Sequence, residues 1–115
     1  MTTEEFYLKV GGDWQDELKR FGSKELVKRF IYKFVNDKSM AELRSALACA
    51  DAERSFRAAH TLKGVCLNLG FQNLYDAVNP LTEKLRTMNC EGCEEMLAEV
   101  EKRYSALISA ISELI

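Results

Sequence analysis

Residues 52–70 of the chain read AERSFRAAHTLKGVCLNLG, and this segment carries the strongest indication of how the chain folds. Its apolar residues recur every three or four positions, which places them on one face of an α-helix. Asp51 precedes the stretch as a candidate N-cap, and Gly70 stands where a left-handed residue ends a helix. The pattern therefore predicts an amphipathic helix over 52–69. Its expected inward face consists of Ala52, Phe56, Ala59, Leu62, Cys66 and Leu69.

Helical periodicity continues outward from this stretch in both directions, and no strand alternation interrupts it. The further predicted helices cover residues 3–10, 13–21, 24–36, 39–50, 72–88 and 91–114. Long amphipathic helices joined by short turns pack as antiparallel neighbours. The sequence therefore predicts an all-α protein. We expect an antiparallel up-down-up-down four-helix bundle with short additional N-terminal helices, forming one domain over 1–115.

Three local signals refine the predicted helix boundaries. Ser23 is a candidate N-cap for the helix at 24–36. Ser39 and Glu42 have the spacing of a capping box. Pro80 lies inside the helix at 72–88, where a proline costs about 3 kcal/mol and removes a hydrogen bond, so we expect a kink near it.

Charge and hydropathy exclude several classes of function. The chain has 16 basic and 18 acidic residues in 115, for a net charge of −2. A nucleic-acid-binding domain usually carries a basic excess. No apolar run approaches the ~18 residues of a membrane span, and the N-terminus does not resemble a signal peptide. We therefore expect a cytoplasmic protein with reduced cysteines that binds neither nucleic acid nor membrane.

His60 is the only histidine, and it lies in the middle of the predicted helix. Residues three and four positions away share its face, namely Phe56, Arg57, Lys63 and Gly64. The ring is expected at the edge of the core, because it is rotated by about 100° from the preceding inward residue. An exposed imidazole is mostly neutral at cellular pH, and its free lone pair is a nucleophile.

Two neighbours of His60 indicate what the ring reacts with. A glycine inside a helix costs about 1 kcal/mol relative to alanine, and we expect a side chain at Gly64 to crowd the imidazole. Lys63 adds a positive charge that suits phosphate, with Arg57 adding to it from the previous turn. Phosphoryl transfer requires in-line positioning and charge stabilisation. These residues supply half of such a site, so the rest must come from a partner.

At these residues the chain resembles the histidine-containing phosphotransfer (HPt) domain family. The resemblance rests on His60, then Leu62, Lys63 and Gly64, and then Gly70. The Gly11-Gly12-Asp13 turn and the segments 30–37 and 58–60 fit as well, so the resemblance extends along the chain. Cys66 stands where the family more often has alanine or serine.

The resemblance implies a four-helix bundle whose histidine accepts phosphate from one receiver-domain aspartate and passes it to another. By the same resemblance His60 is phosphorylated, Lys63 holds the phosphoryl group and Gly64 leaves room for it. Magnesium belongs to the receiver, so no cofactor or metal is expected in this chain. The implied partners are response-regulator receiver domains and a hybrid histidine kinase. This chain is expected to bind them as a monomer. The expected docking residues are Phe56, Arg57, Leu67 and Phe71.

The chain is thus expected to be a phosphocarrier rather than an autonomous enzyme, since it has no Gly-rich phosphate loop for ATP. One alternative is a module of the same fold that docks receivers without carrying phosphate. Another is a thiol redox or zinc protein acting through Cys90 and Cys93, whose spacing is Cys-x-x-Cys. Free thiols are favoured there, because the pair is single and no strand precedes it. Cys49 and Cys66 are expected in the core.

Overall fold

The computed structural model describes residues 1–115 and contains seven α-helices and no strand. The helices are α1 (Thr3–Val10), α2 (Trp14–Phe21), α3 (Lys24–Phe34), α4 (Ser39–Ala48), α5 (Ala52–Leu69), α6 (Gln72–Leu85) and α7 (Cys93–Ser112). The predicted all-α class is confirmed. The predicted helices at 24–36, 39–50 and 72–88 each extend two or three residues too far, because their last residues form turns. No helix combines the length and the apolar character that crossing a membrane requires.

The ends of α5 have the predicted chemistry. The Asp51 side chain accepts a hydrogen bond from the Arg54 backbone N–H, which satisfies one free donor of the first turn. Gly70 has φ of 71°, and its N–H donates to the Cys66 carbonyl. A left-handed residue of this kind closes a helix, and glycine adopts it without strain. Ser23 likewise caps α3 by accepting from the Leu26 N–H.

The predicted capping box at Ser39 is wrong. Ser39 is the first residue of α4, and Lys38, the N-cap, makes no side-chain capping bond. The carboxylate of Asp37 accepts from the Ser39 N–H at 2.9 Å instead, so the acceptor comes from one residue further upstream. The helix α6 runs continuously through Pro80, and the expected kink there stays a prediction.

The four helices from α4 to α7 form the bundle. Each packs against the next along the chain, and the ion pair between Arg44 and Glu101, at 2.7 Å, joins α4 to α7. Burial of an aliphatic side chain contributes roughly 1.5–3 kcal/mol, so the bundle is held mainly by its apolar interior. The fully buried aliphatic residues of these four helices include Leu43, Leu62, Leu81, Val78, Leu85 and Val100.

The N-terminal helices bind the C-terminal end of α5. The Tyr7 hydroxyl donates to the Leu69 carbonyl at 2.8 Å. Arg20 donates to the carbonyls of Leu67 and Asn68 at 3.0 and 2.7 Å. The last carbonyls of a helix have no partner within it, so these donors satisfy them. They fix the end of the helix that carries His60.

Candidate site around His60

His60 is exposed, although Ala59 beside it is fully buried, which confirms the predicted position at the edge of the core. The imidazole stacks on the Phe56 ring, with centroids 5.8 Å apart and planes 19° from parallel. None of the hydrogen bonds or ion pairs within the chain involves the His60 ring. Its nitrogens are therefore accessible to an electrophile, as a nucleophilic role requires.

Lys63 lies one turn after His60, and α6 supplies its partner. The Lys63 ammonium is 3.7 Å from Glu83 Oε1, and the lysine side chain is only 20% exposed. Lysine often packs its aliphatic stem along apolar surface while the charged end stays outside. The structure thus places the Lys63 cation on the His60 face of α5, where a carboxylate from the next helix holds it.

Sequence reasoning missed Glu83 of α6 and Arg86, the C-cap residue of that helix, which both join this site. Arg86 Nε donates to Glu83 Oε2 at 2.8 Å. This hydrogen bond, with the charges of Arg86 and Lys63, lowers the pKa of the Glu83 carboxyl. The Arg86 guanidinium lies over the Phe56 ring, 5.1 Å from its centroid. Glu83 and Arg86 have ordinary i, i+3 spacing on an exposed helix face, so only the packing of α6 on α5 associates them with His60.

Gly64 borders open space. A Cβ atom placed there meets nothing within 4 Å apart from the helix itself. A single Cβ at this position therefore does not crowd the unmodified ring, and crowding by a longer side chain stays a prediction. The reason is that residues four apart on a helix have Cβ atoms about 5–6 Å apart. The space beside the ring is free for a group attached to His60 or brought by a partner.

Three of the four predicted docking residues lie at the surface near His60. Leu67 is 56% exposed. Arg57 is exposed and forms an ion pair with Glu53 one turn earlier. Phe56 is half-buried under Arg86. This group has the mixture of apolar and cationic side chains that protein interfaces favour.

The prediction that Phe71 is the fourth docking residue is wrong. Its side chain is fully buried and contacts Phe34 and Phe6, with ring centroids 5.1 and 6.1 Å away. The chain turns inward at Gly70, and the Phe71 N–H donates to the Cys66 carbonyl in that turn. Phe71 therefore belongs to the core and is not available to a partner.

The four cysteines are free thiols with different surroundings. Cys66 is buried as predicted, and burial raises the pKa of its thiol to about 12. Cys49 is exposed, so its assignment to the core is wrong. It is the C-cap of α4, and the chain leaves the helix there. Cys93 is buried and Cys90 is partly exposed. No group of three or more His, Cys, Asp or Glu side chains is arranged to hold a metal ion.

Comparison with known families connects this geometry to an activity. A family model described as Hpt domain matches residues 34–110, from the end of α3 to most of α7, and the match includes His60. The helices α1 and α2 lie outside the matched segment. No match was found among curated proteins or among solved structures. Hpt domains act in phosphotransfer in two-component signalling and interact with receiver domains. Since the match covers well over half of the 115 residues, the chain belongs to the Hpt domain family.

Proposed function

We propose that this Hpt domain carries a phosphoryl group on His60, which it accepts from the aspartyl phosphate of one receiver domain and passes to the aspartate of another. The observation that carries the proposal is the combination around the ring. An exposed imidazole has the Lys63 cation on its own helix face and open space at Gly64.

The transfer needs only groups that this arrangement and a receiver supply. A neutral ring nitrogen gives its lone pair to phosphorus while the bond from phosphorus to the aspartyl oxygen breaks. The electron pair of that bond leaves with the carboxylate. Transfer to the second receiver is the reverse reaction, in which the imidazole is the leaving group. Lys63 then offers its charge to the phosphoryl oxygens, as ammonium groups commonly do for phosphate.

The division of labour follows from what this chain contributes. Phosphoryl transfer depends on positioning and on stabilisation of charge around phosphorus. In the proposal the receiver supplies the aspartate and the magnesium ion. The donor receiver belongs to a hybrid histidine kinase and the acceptor to a response regulator. The chain is then a carrier rather than an autonomous catalyst.

Profiling against the receiver domains of the source organism tests the proposal. Each receiver is phosphorylated, mixed with the wild-type chain or with His60→Gln, and the phosphate on each protein is followed in time. We expect at least one receiver to label the wild type within the earliest time points and none to label the variant. Receiver binding that survives in His60→Gln, with no label on the wild type, would support the docking module instead.

The variant needs a control for folding. His60 is exposed and makes no hydrogen bond within the chain, so His60→Gln is expected to keep the far-ultraviolet circular dichroism and the urea midpoint of the wild type. Loss of label then reports on the imidazole itself.

A further inference from the structure

The Phe56 ring is shared by His60 and Arg86. It stacks on the imidazole at 5.8 Å between centroids, and the Arg86 guanidinium lies over it at 5.1 Å. Arg86 Nε donates the 2.8 Å hydrogen bond to Glu83 Oε2, and this bond holds the guanidinium in place. A continuous set of contacts therefore runs from α6 through Phe56 to the exposed ring on α5.

No hydrogen bond within the chain and no second aromatic contact restrains the orientation of the His60 ring. Rotation about the second side-chain torsion of histidine is broad and weakly directed. A functional histidine is usually oriented by a hydrogen bond from its second nitrogen to a carbonyl or carboxylate. The His60 ring makes no such bond within the chain, and the Phe56 stack is its one aromatic contact. Near-parallel stacking at this distance limits the angles that the ring can adopt.

We infer that Phe56, held in place by Arg86, is a positioning residue that orients the His60 imidazole for attack on phosphorus. The inference rests on the proposed function, because it concerns the same ring. Attack requires the nitrogen lone pair to point along the line of the breaking bond, and small errors of placement lower rates steeply. Arg86 acts one contact further away, by keeping the Phe56 ring against the imidazole.

The stack itself can be observed without any phosphate. His60 is the only histidine, so the proton NMR spectrum contains the signals of only two imidazole C–H protons, and both belong to His60. The Phe56 ring current is expected to displace them from the positions of a free histidine. Phe56→Leu should abolish the displacement, Phe56→Tyr should retain it, and Arg86→Gln should reduce it.

The kinetic test follows the same variants with a phosphorylated receiver at increasing concentration. We expect Phe56→Leu to lower the maximal transfer rate roughly tenfold with little change in the half-saturating receiver concentration. Phe56→Tyr should restore the rate, and Arg86→Gln should give an intermediate value. The matched comparison is Leu67→Ala, an exposed apolar position on the same helix. It is expected to raise the half-saturating concentration and to leave the maximal rate near that of the wild type.

Each outcome decides one point. If Phe56→Leu loses the ring-current displacement but transfers at the wild-type maximal rate, the positioning role is overturned while the carrier function stands. A change confined to the half-saturating concentration also overturns it, since Phe56 is then a docking contact only. If the two His60 ring protons of the wild type resonate where those of a free histidine do, the rings do not stack in solution. A wild type that accepts no phosphoryl group overturns the proposed function, and the inference with it. Arg86 is exposed, so Arg86→Gln tests the same contact without altering the half-buried Phe56 side chain if Phe56→Leu unfolds.

Discussion

Lys63 Nζ lies 3.7 Å from Glu83 Oε1, so the cation beside His60 is paired with a carboxylate of the neighbouring helix. Glu83 also accepts a hydrogen bond from Arg86, so its carboxylate contacts two cations at once. Glu83 is exposed, and exposed ion pairs are weak because water screens them. Lys63 is thus held near the ring by a contact that a phosphoryl group can displace.

Removing the Lys63 charge should weaken phosphoryl transfer. A hydrogen bond to a charged group is worth about 1.5–3 kcal/mol, and each ~1.4 kcal/mol changes a rate tenfold. We expect Lys63→Gln to lower the transfer rate by roughly ten- to a hundredfold. Lys102→Gln, at an exposed position on α7, is the matched control and should transfer like the wild type. Equal transfer rates for the two variants would show that the Lys63 charge does not contribute to phosphoryl transfer.

Gly64 allows stability and transfer to be separated. Alanine is favoured over glycine inside a helix by about 1 kcal/mol, and the added Cβ meets nothing. Gly64→Ala is therefore expected to raise the free energy of unfolding in urea and yet to slow transfer, because the methyl group occupies space left for the phosphoryl group. Thr61→Ala, exposed on the same helix, should also stabilise but leave transfer unchanged. Wild-type transfer in Gly64→Ala would show that the open space is not used.

The buried Glu17 carboxyl is expected to make the free energy of unfolding depend on pH. Its side chain is buried against Gly70, with one oxygen lacking a hydrogen-bond partner. Burial raises the pKa of this carboxyl, partly opposed by Arg20. The folded state then binds the Glu17 proton more tightly than the unfolded state, so its contribution to stability falls as pH rises above the ordinary glutamate pKa of about 4.3.

The corresponding variant is Glu17→Gln. Urea unfolding should show it to be more stable than the wild type at pH 7, with the difference shrinking towards pH 4. Glu91→Gln, exposed in the loop before α7, should show no such trend. A difference that stays constant between the two pH values would rule out the buried carboxyl as its cause.

The thiols should react in an order that the burial pattern sets. Cys49 is exposed, whereas Cys66 is buried and burial raises the pKa of its thiol to about 12. Only the thiolate is strongly nucleophilic. Iodoacetamide should therefore modify Cys49 in the folded protein and Cys66 only in urea, as read by peptide mass spectrometry. Modification of Cys66 at the rate of Cys49 in the folded protein would contradict the packing of α5.

The residues of α5 were sufficient to predict that helix, because its cap, its periodicity and its terminal glycine are all local signals. Local signals misled at Ser39 and Cys49, where neighbouring residues supply the cap or end the helix. Phe71 was misplaced for a related reason. Its position after Gly70 indicates a turn, but the direction of that turn depends on packing against the rings of Phe6 and Phe34, which are distant in sequence.

The candidate site divides in the same way. His60, Lys63 and Gly64 lie within five residues, so helical geometry alone associates them. Glu83 and Arg86 come from α6, and their link to His60 depends on the rotation of one helix against another. That rotation is set by many core contacts together. A single sequence therefore predicts the α5 half of the site and leaves the α6 half to the structure.

The proposal that His60 carries the phosphoryl group is tested most directly by the location and chemistry of the phosphate after incubation with a phosphorylated receiver and magnesium. We expect the intact mass to rise by one phosphoryl group that is labile in acid and stable in alkali. Peptide mapping should place it on His60, and His60→Gln should show none. An equal gain of phosphate in His60→Gln, or an acid-stable phosphate on another residue, would show that His60 is not the phosphate carrier.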